Sequence, residues 1–526
     1  MKKKLLAIAL IFAMVFSMVA CGGSGNEGDS AEPAEKTELV VFDSEWYGVD
    51  SFQLDSSSGG QSWVGAPLFN WDPDNAQVVD NICQGWTVAE DGSNVTFTVP
   101  EGLYYSTGEE VQPEDVKASI EHGLEVSPYC DGYANIESID IDGRTVKLNL
   151  THFSSDMEYY FCADFICLID KDELDSMSND ELMWGCHPSG PYRLADENGY
   201  VSGSEVNLVR NDNYKTFNPL VETNGPWAFE KIKCRFNVEE FTETEELKSG
   251  SADLIMSTSK DQRLELEGSE GVELINASYP CTNYVELNTD NSIFSDKAVR
   301  EAFCLAIDRD EFAEISEGGL TPTYSIIIDT MQCFNQDAKD WFQEHYSYNP
   351  EKAKQILEDA GWVDTDGDGI REKDGQKLAF TFLAWTDWTV IPEAMANQLA
   401  QVGFDMSIEA LDWNYIHERC NSDDYDMGIA GLAWAEPILI FNICYYDNNA
   451  PGNDETYRKM VKEIASEPDT EKRVEKIGEI QMRMFENLNI IPLFMDNEYT
   501  ATRTELKGIV AKSDGTLSTA DMHWEA

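Results

Sequence analysis

The order of apolar and polar positions divides the chain before any motif is considered. Leu5 to Ala20 is an apolar run broken only by Ser17. It falls short of the roughly 20 residues that span a bilayer. Lys2, Lys3 and Lys4 precede it and small residues close it, which is the pattern of a secretory signal. Gly22 to Lys36 is rich in Gly, Ser, Glu, Ala and Pro and has no aromatic residue, so it reads as a tether. Periodic patterns begin after it. Glu38 to Asp43 predicts a first strand. Trp86 to Val99 alternates through Asp91-Gly92 with Val95, Phe97 and Val99 on one face, which predicts a hairpin. Pro113-Glu114-Asp115 opens a helix with Val116, Ile120 and Leu124 along one face. Asp296 to Asp310 and Thr470 to Asn487 carry helical spacing. Asn349-Pro350-Glu351 starts a further helix that puts Ala353, Ile356, Leu357 and Ala360 on one side and stops at Gly361. Strands alternate with helices over the second half, so an α/β lobe is expected there. No internal repeat is present.

Length and charge narrow the classes. A chain of 526 residues exceeds what one core supports, so two or three domains are expected. The net charge is −61, which repels nucleic acid and anionic membrane surfaces. The acidic residues are scattered among 11% aromatics, as on a folded acidic surface. No later apolar run is long enough to cross a membrane. There are 12 cysteines, none in a C-x-x-C pair, and many sit in apolar settings such as Phe161-Cys162, Ile166-Cys167 and Phe303-Cys304. Most are expected to be free core thiols.

Catalytic signatures are weak. His417-Glu418 begins the zinc-protease pattern, but Asn421 stands where the second histidine belongs. No nucleophile elbow or phosphate loop is recognisable. Carboxylate pairs are inevitable among 98 acidic residues and carry no information about glycosidase chemistry. Asp364, Asp366 and Asp368, with Gly369 after them, resemble the start of a calcium loop, although Gly375 replaces the twelfth-position glutamate. A structural acidic turn is the favoured reading, with a structural calcium as the alternative and no other cofactor expected.

Met18-Val19-Ala20-Cys21-Gly22 resembles a bacterial lipobox, which makes Cys21 the candidate lipid-bearing residue. The rest of the chain, from about Leu39 to Gly508, resembles the family 5 extracellular solute-binding proteins. The resemblance runs through Trp86-x-Val88 and Asp91-Gly92, then His187-Pro188-Ser189-Gly190-Pro191-Tyr192 and Arg210-Asn211-Asp212-Asn213-Tyr214. It continues through Leu287-Asn288-Thr289, Val299-Arg300, Ala306-Ile307-Asp308-Arg309, Asn349 to Ala353, Ala360-Gly361-Trp362, Tyr425-Asp426 and Ile491-Pro492-Leu493.

The resemblance implies an α/β, two-lobed, class II periplasmic-binding-protein-like fold with an inserted accessory subdomain and mixed sheets joined by hinge strands. The implied layout is a signal peptide at 1–20 and a tether at 21–36. Lobe one then takes 37–60, 185–285 and 492–526, the accessory subdomain 61–184, and lobe two 286–491. The implied function is the receptor of an ABC importer, most simply for peptides, monomeric and lipid-anchored on the extracytoplasmic face of the cell membrane. It would deliver its ligand to the permease subunits. An oligosaccharide or metal chelate is the alternative ligand, and a secreted hydrolase the alternative of another class. The cleft between closing lobes would be walled by Trp46, Tyr47 and Phe52, by Trp385 and Trp388, and by Trp434. Peptide receptors of the family carry an aspartate in a W-x-x-D-Y-x-x-P segment that meets the peptide amine. The matching segment here, Gly431 to Pro437, is shorter, and Glu436 is its only carboxylate.

Overall fold

Alternation from Leu39 to Val41 buries both side chains completely and makes β1 (Glu38–Phe42) an interior strand. The computed structural model describes residues 36–54, 59–75, 77–163, 166–386, 390–433, 436–441, 455–512 and 517–525. The expected hairpin is β2 (Gln84–Val88) and β3 (Asn94–Thr98), with Val95, Phe97 and Val99 all 2% exposed or less. The helix announced by Pro113 is α1 (Pro113–Val126), whose first turn is closed by the Gln112 N–H donating to Asp115 at 2.7 Å. Together with β4 (Ile136–Asp142) and β5 (Thr145–Leu150), the hairpin forms a four-stranded antiparallel sheet in the order β2-β3-β5-β4. The short helix α2 (Asp156–Cys162) follows.

The main sheet contains twelve strands among the described residues. Its first half is built from β1, β6 (Tyr192–Leu194), β7 (Glu205–Arg210), β8 (Lys231–Arg235) and β9 (Leu254–Ile255). A long strand, β10 (Val272–Leu287), then leads into the second half. There α3 (Lys297–Ala306) and α4 (Arg309–Ile315) replace the single helix expected over Asp296 to Asp310. The chain breaks at Asp308 because its carboxylate caps α4, accepting the N–H groups of Asp310 and Glu311, while its own N–H goes to Gln398 at 2.9 Å. The helix α5 (Pro350–Asp359) begins on the Asn349 cap and buries Ala353 and Leu357 as its spacing predicts.

Next come β11 (Ala379–Trp385), β12 (Asp405–Leu411), α6 (Trp413–Asn421), β13 (Met427–Ala433), α7 (Pro437–Phe441), α8 (Glu455–Ala465) and α9 (Thr470–Asn487). The last long strand, β14 (Ile490–Arg503), completes the sheet, ten of whose strands run in the order β12-β11-β13-β10-β14-β9-β1-β8-β7-β6, while the short strands Leu320–Pro322 and Tyr200–Val201 pair off this path with β14 and β7.

Two large hydrophobic cores lie on this frame, beside a small third cluster of Phe42, Leu247, Ala252, Ile255, Leu266 and Ala501. One runs from Tyr284 to Met495. The other gathers residues from Leu39 to Leu254 and returns for Leu506 and Met522. The strands β10 and β14 belong to both halves. They pair antiparallel from Val272 opposite Arg503 to Glu286 opposite Ile490, with register shifts between Ser278 and Thr282 and between Asn283 and Tyr284. This is the mixed α/β architecture joined by crossing strands that the sequence implies.

Ten cysteines of the described residues are free, and seven of these are buried. No described helix is long and apolar enough to cross a membrane.

Candidate functional site

Ligands of open α/β sheets bind beyond the carboxyl ends of the parallel strands. In the second half those ends belong to β11 and β12, which pair in parallel from Ala379 opposite Asp405 to Trp385 opposite Leu411. Trp385 therefore stands at the strand end, half-buried, with its ring 6.1 Å from that of Trp413 at the start of α6. The six-membered ring of its indole comes close to Gly431 of β13. A Cβ on Gly431 would come within 2.8 Å of Trp385 and 2.6 Å of Asn283 Oδ1, so this approach requires glycine.

Asn283 is fully buried and donates to Asp496 at 2.9 Å, joining β10 to β14 at the register shift. Burial raises the carboxyls of Asp496 and Glu498 above their ordinary range. Asp496, Glu498, Asn283 and Cys281 thus form a polar group on the crossing strands beside Trp385. Period-2 alternation in Asp496-x-Glu498, directly after the apolar run from Ile490 to Met495, is the signal that would have marked this pair.

A second group closes the seam between the two cores. From α2, Glu158 reaches Arg473 of α9 at 2.6 Å, with both side chains less than a tenth exposed. Nearby, the Ser155 N–H donates to the Ala465 carbonyl of α8 at 2.8 Å. Burial, the largest single influence, works to lower the Arg473 pKa, but the Glu158 carboxylate and the Cys333 thiol together outweigh it, and the net direction is up.

Glu436 is 3% exposed, not a solvated loop residue, and its carboxylate accepts the Leu439 N–H at 3.0 Å, capping α7. Burial, and then the charge of Asp156, push its carboxyl up to about 8, against the opposing pull of the Leu439 N–H and Arg473. Asp156 is raised in the same way by burial, and its Oδ1 is buried without a hydrogen-bond partner. At this seam Glu158 pairs with Arg473, Glu436 lies within reach of the same positive charge, and Asp156 adds a third carboxyl that acts on Glu436.

The remaining expected residues fall in different places. Trp46 and Phe52 are 1% and 0% exposed and lie in the first core, so neither offers a wall to a ligand in this structure. Phe52 packs edge-on against His122, and a Cβ on Gly60, where φ is +64°, would overlap the Trp46 indole. Tyr47 is half exposed. Trp388, Trp434 and Cys21 lie outside the described residues.

Oxygens of Asp364, Asp366 and Glu372 lie within 4.8 Å of one another in the acidic loop. Asp368 stands apart from that set and pairs with Lys377. Asp364 already accepts the N–H groups of Gly367 and Gly369. His187 is held by Glu173, which takes its Nδ1 at 2.6 Å and its backbone N–H at 2.8 Å.

Comparison with known proteins agrees with this architecture. The chain is 22% identical to the oligopeptide-binding protein AppA of Bacillus subtilis over 550 residues, covering 96% of each. The crystal structure of AppA with a nonapeptide superposes with a TM-score of 0.64 at 19% identity, covering 94% of this chain and 100% of that one. NikA from Brucella suis, solved with Fe(III)-EDTA, gives 0.76 at 21% identity and covers 91% and 99%. CtaP from Listeria monocytogenes, an ABC transporter substrate-binding protein, gives 0.77 at 18% identity and covers 94% and 100%. The family model described as bacterial extracellular solute-binding proteins, family 5 Middle, matches residues 77–450, and the chain belongs to that family.

Proposed function

We propose that this protein is the lipid-anchored receptor of an ABC importer, which captures a peptide between its two cores and hands it to the membrane permease. The near end-to-end match to an oligopeptide-binding protein carries the peptide reading. It is supported by a fold whose two cores are joined by paired strands able to bend. Cys21 carries the lipid and the segment to Lys36 is the tether. Trp385, Trp388, Trp434 and Tyr47 wall the ligand, while Trp46 and Phe52 support the wall from the core.

Glu436 receives the peptide's amino terminus. A buried carboxyl held neutral by its surroundings becomes a carboxylate when an ammonium arrives, because the opposite charge offsets desolvation. Amine capture at neutral pH therefore releases a proton from the site.

Calorimetry on four combinations tests this: wild type and Glu436→Gln, each with free and N-acetylated peptide. The glutamine keeps an oxygen for the Leu439 N–H, so the α7 cap is preserved. Either change alone should weaken binding about 100-fold or more. The two losses should not add, because they remove one interaction. Equal affinity for free and acetylated peptide would refute the anchor. Sugars bound in place of peptides would refute the ligand class.

A metal chelate is the second reading. It is favoured by the higher TM-score to NikA, solved with Fe(III)-EDTA, than to AppA with its peptide. Mass spectrometry of the protein purified under native conditions separates the two by the mass of the retained ligand.

A further inference from the structure

Asp496 and Glu498 alternate with Asn497 and Tyr499 along β14, so the two pairs point to opposite faces of the strand. On one face Tyr499 lies under the Arg263 guanidinium at 4.8 Å, and Asn497 donates to the Gly318 carbonyl at 2.9 Å. The other face carries the two carboxyls, on the side of Cys281 and Asn283. Asp496 is half-buried and stands at the register shift, between the pairs Ser278–Asn497 and Thr282–Met495. A bulge of this kind re-aims the side chain it holds. Glu498 is exposed and sits opposite Ala277.

Neither group that touches Asp496 is a cation: they are the Asn283 amide, at 2.9 Å, and the Cys281 thiol. Among the described residues no lysine, arginine or histidine acts on either carboxyl, and Asp496 opposes the ionisation of Glu498. Asn283 adds a third oxygen. It is wholly buried, and its Oδ1, on the side of Trp385, has no hydrogen-bond partner. Two neighbouring carboxylates repel one another, and holding them partly desolvated costs free energy until a positive group arrives.

What such a face recognises follows from its chemistry. An anionic solute would add a third negative charge. A sugar would leave both carboxylates without a counter-charge. A metal ion needs converging ligands, and among the described residues three such side chains come close enough only in the acidic loop. A lysine or arginine side chain meets each requirement. Its apolar stem suits the indole of Trp385, and its charged end suits the carboxylates.

We propose that Asp496 and Glu498 bind a basic side chain of the captured peptide, so that the receptor selects peptides with a lysine or arginine in addition to their amino terminus. This selectivity rests on the peptide reading given above and narrows the peptides to one class. The amino terminus goes to Glu436 at the start of α7, and the basic side chain goes to β14.

Calorimetry with matched peptides tests it. Each peptide, three or nine residues long, carries one lysine at one of its first three positions in an alanine background. Its control has the neutral norleucine in that place. In the wild type at least one lysine peptide should bind about tenfold or more tightly than its control. Asp496→Asn keeps an oxygen for the Asn283 amide and should bring that ratio toward one, as should Glu498→Gln. Glu498→Lys, at an exposed position, should invert the ratio in favour of norleucine, and it decides the matter if Asp496→Asn does not fold. A wild type that binds lysine and norleucine peptides equally would overturn the selectivity and leave the peptide reading standing. So would a ratio unmoved in both Glu498 variants. Failure of every peptide at both lengths to bind would overturn the two together.

Discussion

Glu436 holds a proton in the folded protein that it surrenders in the unfolded chain at neutral pH. Its ordinary value is 4.5 and its folded value about 8, so between these limits the folded state binds more protons than the unfolded state. Stability is then full below about pH 4.5 and falls as pH rises toward 8, by up to about 1.4 kcal/mol per unit. Asp156 and Glu158 are shifted in the same direction by burial and add to the slope. The denaturant midpoint of the ligand-free protein should therefore fall between pH 5 and pH 8, and Glu436→Gln should flatten that fall. A slope identical in the variant would assign it to the neighbouring carboxyls. Sequence singled out Glu436 because Gly431 to Pro437 offered no other carboxylate. It could not single out Asp156 or Arg473, which lie 280 and 37 residues away along the chain and meet it only when α2 and α9 pack.

At the scale of elements, the acidic loop is held by its own chain. Asp364 accepts two glycine N–H groups, Asp368 pairs with Lys377, and Glu372 takes the Thr365 N–H at 2.8 Å. Calcium at millimolar concentration, or a chelator, should accordingly leave the melting temperature within about a degree. A native-state site filled to 100 times its dissociation constant would add about 2.7 kcal/mol and several degrees. Elements whose ends carry their own chemistry were legible in the sequence: Pro113, Asn349-Pro350 and the span from Thr470 to Asn487 all became helices at the expected bounds. The break at Asp308 was not legible, because an aspartate in a helical pattern caps or continues according to what receives its N–H, and Gln398 does so from 90 residues away. Aromatic clusters gave a mixed result for a related reason. Trp385 stands half-buried at the carboxyl end of an interior strand, whereas Trp46 and Phe52 turn into the core, and sequence spacing does not separate these outcomes.

At the scale of the molecule, the proposed anchor makes the tether part of the function. Cys21→Ala should release the protein from washed membranes into the medium, and a variant that stays membrane-bound after washing would remove Cys21 from that role. Blotting both fractions settles it. Beyond the anchor, the sheet itself sets how the receptor works. Because β10 and β14 stay paired from one core to the other, the cores are joined by a ribbon of hydrogen bonds and not by a loose linker. Such a ribbon flexes as a leaf spring does, most readily where its rungs are missing, at the shifts beside Thr282 and Asn283. The two shifts divide the bend between them, so neither segment need break its pairing. The resting angle of the spring, set by the stiffness of about a dozen rungs, then fixes how often an empty receptor closes on nothing and presents itself falsely to the transporter.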